Sequence, residues 1–155
     1  MPYTVARASS ADSHEIAKLL RRSIIELCQS DHGDEPDRYE AWLKTKSADQ
    51  VEKWIDGPGG AFVAQDQDKR ILGFVMGSPS GQVLMTHVLP EARFTGVSKA
   101  LMRAVEDYFR DRGLDLAHLN STGTADRFYR AIGYTETGGS ETQLDMTFRA
   151  FQKAI

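Results

Sequence analysis

The sequence carries one cysteine, Cys28, among 155 residues. A lone thiol closes no disulfide within the chain, so the core must hold the fold, and such sparing use of cysteine suits a reducing compartment. At the end of an amphipathic run, Cys28 reads as a small buried apolar side chain rather than a reactive thiol. Long apolar runs are missing too: none approaches the ~20 residues of a membrane-spanning helix. The N-terminal stretch has no apolar core and carries Asp12 and Glu15, unlike a secretory signal. These readings place the protein in the cytoplasm, away from membranes. Excess charge of one sign is also lacking, with 19 Lys and Arg against 22 Asp and Glu for a net charge of -3. Without a basic field or stripe, nucleic acid is not an expected partner, and any anion site must be built locally.

What is present is an ordinary globular mixture, 41% hydrophobic and 26% charged. Its length suits one domain with its own core, and no repeat or linker divides it, so residues 1–155 are read as a single domain. Residues 3–8 are β-rich and predict a first strand. Ser10 or Asp12 then caps a helix whose Ile16, Leu19, Leu20, Ser23, Ile24 and Leu27 keep helical spacing to about Cys28. A polar loop, 29–37, precedes a second helical stretch marked by Tyr39, Trp42, Leu43, Val51, Trp54 and Ile55, interrupted near Lys46 and stopped by the glycines and proline of 57–60. Strands are expected at 61–65, 70–77 and 82–89, joined by tight turns and ended by Pro90. Val97, Ala100, Leu101, Ala104, Val105, Tyr108 and Phe109 then give the clearest helical stripe in the chain, capped by Gly113. A strand at 114–119, a short helix at 124–132 and two strands, 134–137 and 143–148 around a Gly-Gly-Ser turn, complete the pattern. The order β-α-α-β-β-β-α-β-α-β-β predicts an α/β (mixed α+β) fold. Its sheet of six to seven strands is mostly antiparallel, with a parallel pair flanking the long helix and about four helices over both faces.

The start of that long helix is unusual. Helix N-termini carry roughly half a positive charge and normally attract acids. Here no acid lies between Thr95 and Ala104, and Arg93 and Lys99 flank Gly96. The first helical amides have no intrahelical acceptor, Gly96 permits close approach, and the hydroxyls of Thr95 and Ser98 add further donors. That combination fits a phosphate or pyrophosphate. Neither the P-loop nor the dinucleotide glycine pattern occurs. A second cluster follows strand 114–119: Ser121 and Thr122, then Ala125, Phe128, Tyr129, Gly133 and Tyr134.

Together the two motifs resemble those of the GNAT superfamily of acetyl-CoA-dependent N-acetyltransferases. The family's Gln/Arg-x-x-Gly-x-Gly/Ala matches Arg93 and Gly96 and departs at Ser98; its Ala-x-x-Phe-Tyr-x-x-x-Gly-Phe/Tyr matches Ala125, Phe128, Tyr129, Gly133 and Tyr134 throughout. The resemblance implies acetyl-CoA as co-substrate, with no metal. Its pyrophosphate would lie on the amides of Phe94, Thr95, Gly96, Val97, Ser98 and Lys99 beside Arg93. Its pantetheine arm would lie along Val88, where two strands splay, with Phe128 and Ser121 or Thr122 on the facing wall. Thr122 stands where the family often has asparagine. Tyr129 would protonate the leaving thiolate, and an amine would attack the acetyl carbon directly in a ternary complex.

The amine must lose a proton before it attacks. On strand 82–89 only His87 titrates, and an ordinary pKa near 6.5 would suit a base. The acidic loop holding Asp31 and His32 borders the acceptor region in the resembling family and would receive a cationic amine; its spacing fits neither an EF-hand nor a zinc site. The acceptor loops are expected at 29–37 and 135–143. A non-catalytic acyl-CoA-binding or sensor domain on the same fold is the alternative. Family members often pair, which leaves a homodimer open.

Overall fold

The computed structural model describes residues 2–27, 33, 35–143 and 146–155. Strand β1 is Thr4–Arg7. A single 3-10 turn, Ser10–Asp12, leads into helix α1, Ser13–Leu27. Helices α2, Pro36–Lys44, and α3, Ala48–Asp56, follow. Strands β2, Gly60–Gln65, β3, Ile71–Gly77, and β4, Gln82–Val88, form a meander. Helix α4 spans Val97–Asp111, β5 Leu116–Ser121, α5 Asp126–Ala131, β6 Thr135–Gln143 and β7 Met146–Ala154.

The seven strands form one open sheet in the order β1-β2-β3-β4-β5-β7-β6. Every neighbouring pair is antiparallel except β4 and β5, which α4 joins by a crossover. This is the mixed, mostly antiparallel sheet that the sequence order predicts. β3 is buried over its whole length because α1 and α4 both pack on it. Val88 marks the α4 face: a Cβ added at Gly73 would lie 3.1 Å from both Val88 Cγ1 and Val97 Cγ1. The long helix sits close to the sheet because β3 ends in glycine. A Cβ at Gly77 would lie 2.5 Å from Val105 and 2.7 Å from Phe109. The main core gathers Ile16, Leu20, Phe74, Val75, Leu101, Val105 and Phe109 between these layers.

Three details differ from the sequence-based outline. The second helical stretch is two helices, because Ser47 caps a new one by accepting from the Gln50 amide at 3.1 Å. The described residues therefore hold five α-helices, where the sequence predicts about four. The entry to α1 is capped by Ser9 and Asp12 together, the Ser9 amide donating to the Asp12 carboxylate at 3.0 Å. The Gly-Gly-Ser segment is not the last turn but a bulge inside β6, where the pairing with β7 slips between Glu136 and Ser140. Gly138, at φ +88°, permits it. Residues 135–143 are thus an edge strand rather than an acceptor loop. Their polar composition hides a strand that needs only one covered face.

Candidate active site

β4 and β5 pair only at Gln82 with His118 and Val83 with Leu119. Just beyond, the register of β4 against β3 shifts by one residue, Met85 facing Met76 but Val83 facing Gly77, so Leu84 is an inserted bulge residue. The parallel strands part at this bulge. The gap opens a cavity of about 410 Å³ with three chemically distinct walls.

The first wall is cationic. After β4 the chain makes a short turn at Pro90–Ala92, passes through Phe94 at φ +61° and Gly96 at φ +86°, and enters α4. The first helical hydrogen bond beyond the cap runs from the Ala100 amide to the Gly96 carbonyl at 3.1 Å, so the amides of Val97, Ser98 and Lys99 precede the ladder. No acid lies in the first turn. Arg93, Phe94, Gly96, Val97, Ser98 and Lys99 line the cavity. Phe94 is 94% exposed, with the Arg93 guanidinium 4.8 Å from its ring centre. Thr95 is not on the wall: its hydroxyl donates to the Ala92 carbonyl and shapes the turn instead. The nearest acid, Glu91, is neutralised. Arg22 donates to both its oxygens at 3.1 and 3.2 Å and Arg70 binds one of them, which holds its carboxyl down at about 2 and ties this loop to α1.

The second wall comes from β5 and α5. Asn120, Ser121, Thr122, Thr124, Phe128 and Tyr129 line it. Ser121 spends its hydroxyl on the Thr122 carbonyl at 2.8 Å. Tyr129 is only 6% exposed, with its ring packed on Phe128 and Tyr134 at centroid distances of 5.3 and 5.8 Å. Val88 completes the floor.

The third wall lies under α1. Alternation along β4 turns His87 away from the α4 face occupied by Val88 and toward α1, where Ser23 Oγ lies 3.0 Å from its Nδ1. Burial, and then the Lys46 ammonium, push the imidazole down to about 4. His87 is therefore neutral at pH 7 and is not the base near 6.5 that its ordinary value promised. Lys46 follows α2 and is 9% exposed, and burial lowers its ammonium to about 8. Its Nζ donates to Thr45 Oγ1 at 2.6 Å and faces the Trp54 ring at 5.6 Å. Among the described residues no carboxylate pairs with it. Leu27, Trp42 and Phe148 supply apolar surface beside these groups.

The cavity thus brings together Tyr129, His87, Val88, Arg93, Phe94, Gly96, Val97, Ser98, Lys99, Ser121, Thr122 and Phe128 and leaves out Thr95. Asp31, His32 and Cys28 lie outside the described residues. Sequence reasoning missed Lys46, Asn120, Thr124 and the role of Ser23. Only Ser23 left a signal, a hydroxyl inside the apolar stripe of α1. Among the described residues no group of three His, Cys, Asp or Glu stands where it could hold a metal ion, and no helix is long and apolar enough to cross a membrane.

The model of the acetyltransferase (GNAT) domain matches residues 16–149. The chain belongs to the GNAT acetyltransferase family. A mycothiol acetyltransferase of an Arthrobacter species is 36% identical over 101 residues, 57% of this chain and 31% of that protein. The chain spans less than half the length of the curated relatives it matches. A GCN5-related N-acetyltransferase from Rhodopseudomonas palustris superposes with a TM-score of 0.88 at 17% identity, covering 100% of this chain and 97% of that one. The PaiA N-acetyltransferase from Thermoplasma acidophilum, solved with coenzyme A, superposes at 0.80 with 16% identity over the whole of both chains. At those identities the likeness is one of fold.

Proposed function

We propose that this GNAT domain transfers the acetyl group of acetyl-CoA to a primary amine of a small molecule or peptide by direct attack. The observation that carries the reading is the convergence of the α4 amides, Arg93, Lys99 and Tyr129 on the cavity where β4 and β5 part. The pyrophosphate would lie on the amides of Val97, Ser98 and Lys99, with the helix dipole and the two cations around it. Thr95 would act through the shape of the turn rather than by touching a phosphate. The pantetheine arm would run along Val88 in the gap between the strands, facing Thr122 and Phe128.

The neutral amine would attack the acetyl carbon, forming a C–N bond. The C–S bond breaks, its electron pair stays on sulfur, and Tyr129 delivers a proton to the thiolate. The attacking nitrogen sheds its extra proton to solvent through the open end of the cavity, and the Tyr129 phenolate regains a proton from solvent, so the transfer closes without a protein base. His87 is too weakly basic to strip an alkyl ammonium: with pKa values near 4 and 10 that transfer is uphill by roughly 8 kcal/mol. We assign His87 the smaller task of accepting a hydrogen bond from an amine that has already been deprotonated.

Titrating the protein with acetyl-CoA, with free CoA for comparison, tests the reading. Micromolar binding of both supports it, and absence of binding rejects it. Tyr129→Phe then separates catalysis from mere binding. Unchanged acetyl-CoA affinity with turnover lowered about 100-fold or more identifies the acid. Unchanged turnover removes Tyr129 from the chemistry.

A further inference from the structure

The acceptor side of the cavity contains a charge that acetyl transfer does not explain. Lys46 is nine-tenths buried, yet among the described residues its ammonium, with three donors, makes one hydrogen bond, to the neutral Thr45 hydroxyl. Buried cations are ordinarily paired, because leaving water without a counter-charge is expensive. Nothing among the described residues supplies one. No described Asp or Glu lines the cavity, and none lines the shallower recess on the other side of Lys46, which Lys18 and Arg21 make basic. That local excess of cations runs against the chain's net charge of -3. The anion missing from this arrangement is one that arrives with a ligand.

Resting on the acetyltransferase reading above, we infer that the acceptor is an amine that also bears a carboxylate on an apolar body, its carboxylate pairing with Lys46 while Leu27, Trp42 and Phe148 enclose the apolar part. Free amino acids with aliphatic or aromatic side chains are the simplest members of this class. The same cation counts against the opposite class. A polyamine would bring a second ammonium to a chamber that holds a cation and, among the described residues, no acid. The same cation favours the neutral, attacking form of a bound amine, as it favours neutral His87.

The test compares acceptors that differ only in the carboxylate, leucine against 3-methylbutylamine and phenylalanine against phenethylamine, by release of the CoA thiol. The carboxylate-bearing member should have a kcat/KM about 10-fold or more higher, carried mainly by KM, as a charge-assisted contact implies. Lys46→Met should bring each pair within about two-fold of one another, while Lys46→Arg should keep most of the preference. Acetyl-CoA titration of each variant should be unchanged, which shows that it is folded. Three results overturn the inference: equal or reversed preference in the wild type, a preference that survives Lys46→Met, or no use of any acceptor by protein that binds acetyl-CoA. A Lys46→Met that merely shifts the pH profile of both members of a pair equally also overturns it, since that is the signature of a residue acting only through His87. If the wild type does not bind acetyl-CoA at all, the acetyltransferase reading fails first and takes this inference with it.

Discussion

His87 Nδ1 on β4 lies 3.0 Å from Ser23 Oγ on α1, so the one histidine among the described residues of the cavity is fixed by the helix that covers the sheet. Its folded pKa of about 4 lies below the unfolded value of 6.5. Between those values the unfolded chain binds a proton that the native protein refuses. The stability linked to His87 is therefore complete above about pH 6.5 and is lost as pH falls through 4, by at most about 3 kcal/mol. Urea midpoints at pH 7 and pH 4.5 should show this slope in the wild type and a shallower one in His87→Phe. The contribution of Glu91 falls away only at lower pH, on the approach to its value of about 2, so the two carry different signatures.

Lys46 reverses the charge but not the sign. Its folded pKa of about 8 lies below the ordinary value of 10.5, so again the unfolded chain holds the extra proton within the window. Stability should rise with pH from about 8 to 10.5, by up to about 3 kcal/mol. Lys46→Met should lose that slope and be at least as stable as the wild type at pH 7, where the native lysine still carries a buried charge. In kinetics, the preference for a carboxylate-bearing acceptor in kcat/KM should fade above about pH 8 as the free enzyme's ammonium titrates.

The contrast between these two residues shows how far the sequence could be read. The order of the elements, the α4 crossover and the cationic wall of the cavity were legible because each rests on a local pattern: β-rich runs between turns, a helical stripe, and a glycine with flanking cations at a helix start. Ser98 and Thr122 depart from the family pattern but still fall on the cavity wall. The acceptor side was not legible. Lys46 reaches the cavity from a short turn between α2 and α3, far from β4 in sequence, and only the folded chain places it in the same cavity as His87. His87 was identifiable, but its titration is set by burial, which no spacing reveals. Of β6 only the start, 134–137, was legible, because beyond it an edge strand with a glycine bulge lacks the apolar alternation that marks a strand.

Gly96 sits at φ +86° with only the Tyr3 hydroxyl, at 3.5 Å, near the place where a Cβ would be. A side chain there meets conformational strain rather than a clash. Gly96→Ala should lower stability by about 1–2 kcal/mol. It should also weaken acetyl-CoA binding several-fold, because relief of the strain moves the amides of 97–99. Gly113→Ala is the control: the same left-handed backbone, at φ +81° with nothing within 4 Å, stands at the far end of α4. It should cost similar stability with no change in affinity. Equal loss of affinity in both variants would show that the Gly96 turn has no special relation to the ligand.

Tyr129 is braced from behind. Tyr134, whose ring packs on it, donates its hydroxyl to Glu106 at 2.8 Å, and Lys153 on β7 reaches both Glu106 oxygens at 3.1 and 3.3 Å. Burial and then the Glu106 carboxylate push the Tyr134 phenol above its ordinary range, so it stays a donor. Glu106→Ala removes the acceptor from two partners at once and should cost about 2–3 kcal/mol; Lys153 keeps 25% of its side-chain surface, which holds the loss below that of a fully buried pair. Tyr134→Phe keeps the ring and the Glu106–Lys153 pair, and should cost about 1 kcal/mol with turnover nearly unchanged. Tyr134→Ala removes the ring and should lower turnover more than acetyl-CoA affinity, because it frees the Tyr129 side chain without touching the α4 amides. Urea melts paired with acetyl-CoA titration and thiol-release kinetics check all three, and a Tyr134→Ala enzyme with full turnover would show that Tyr129 needs no such support.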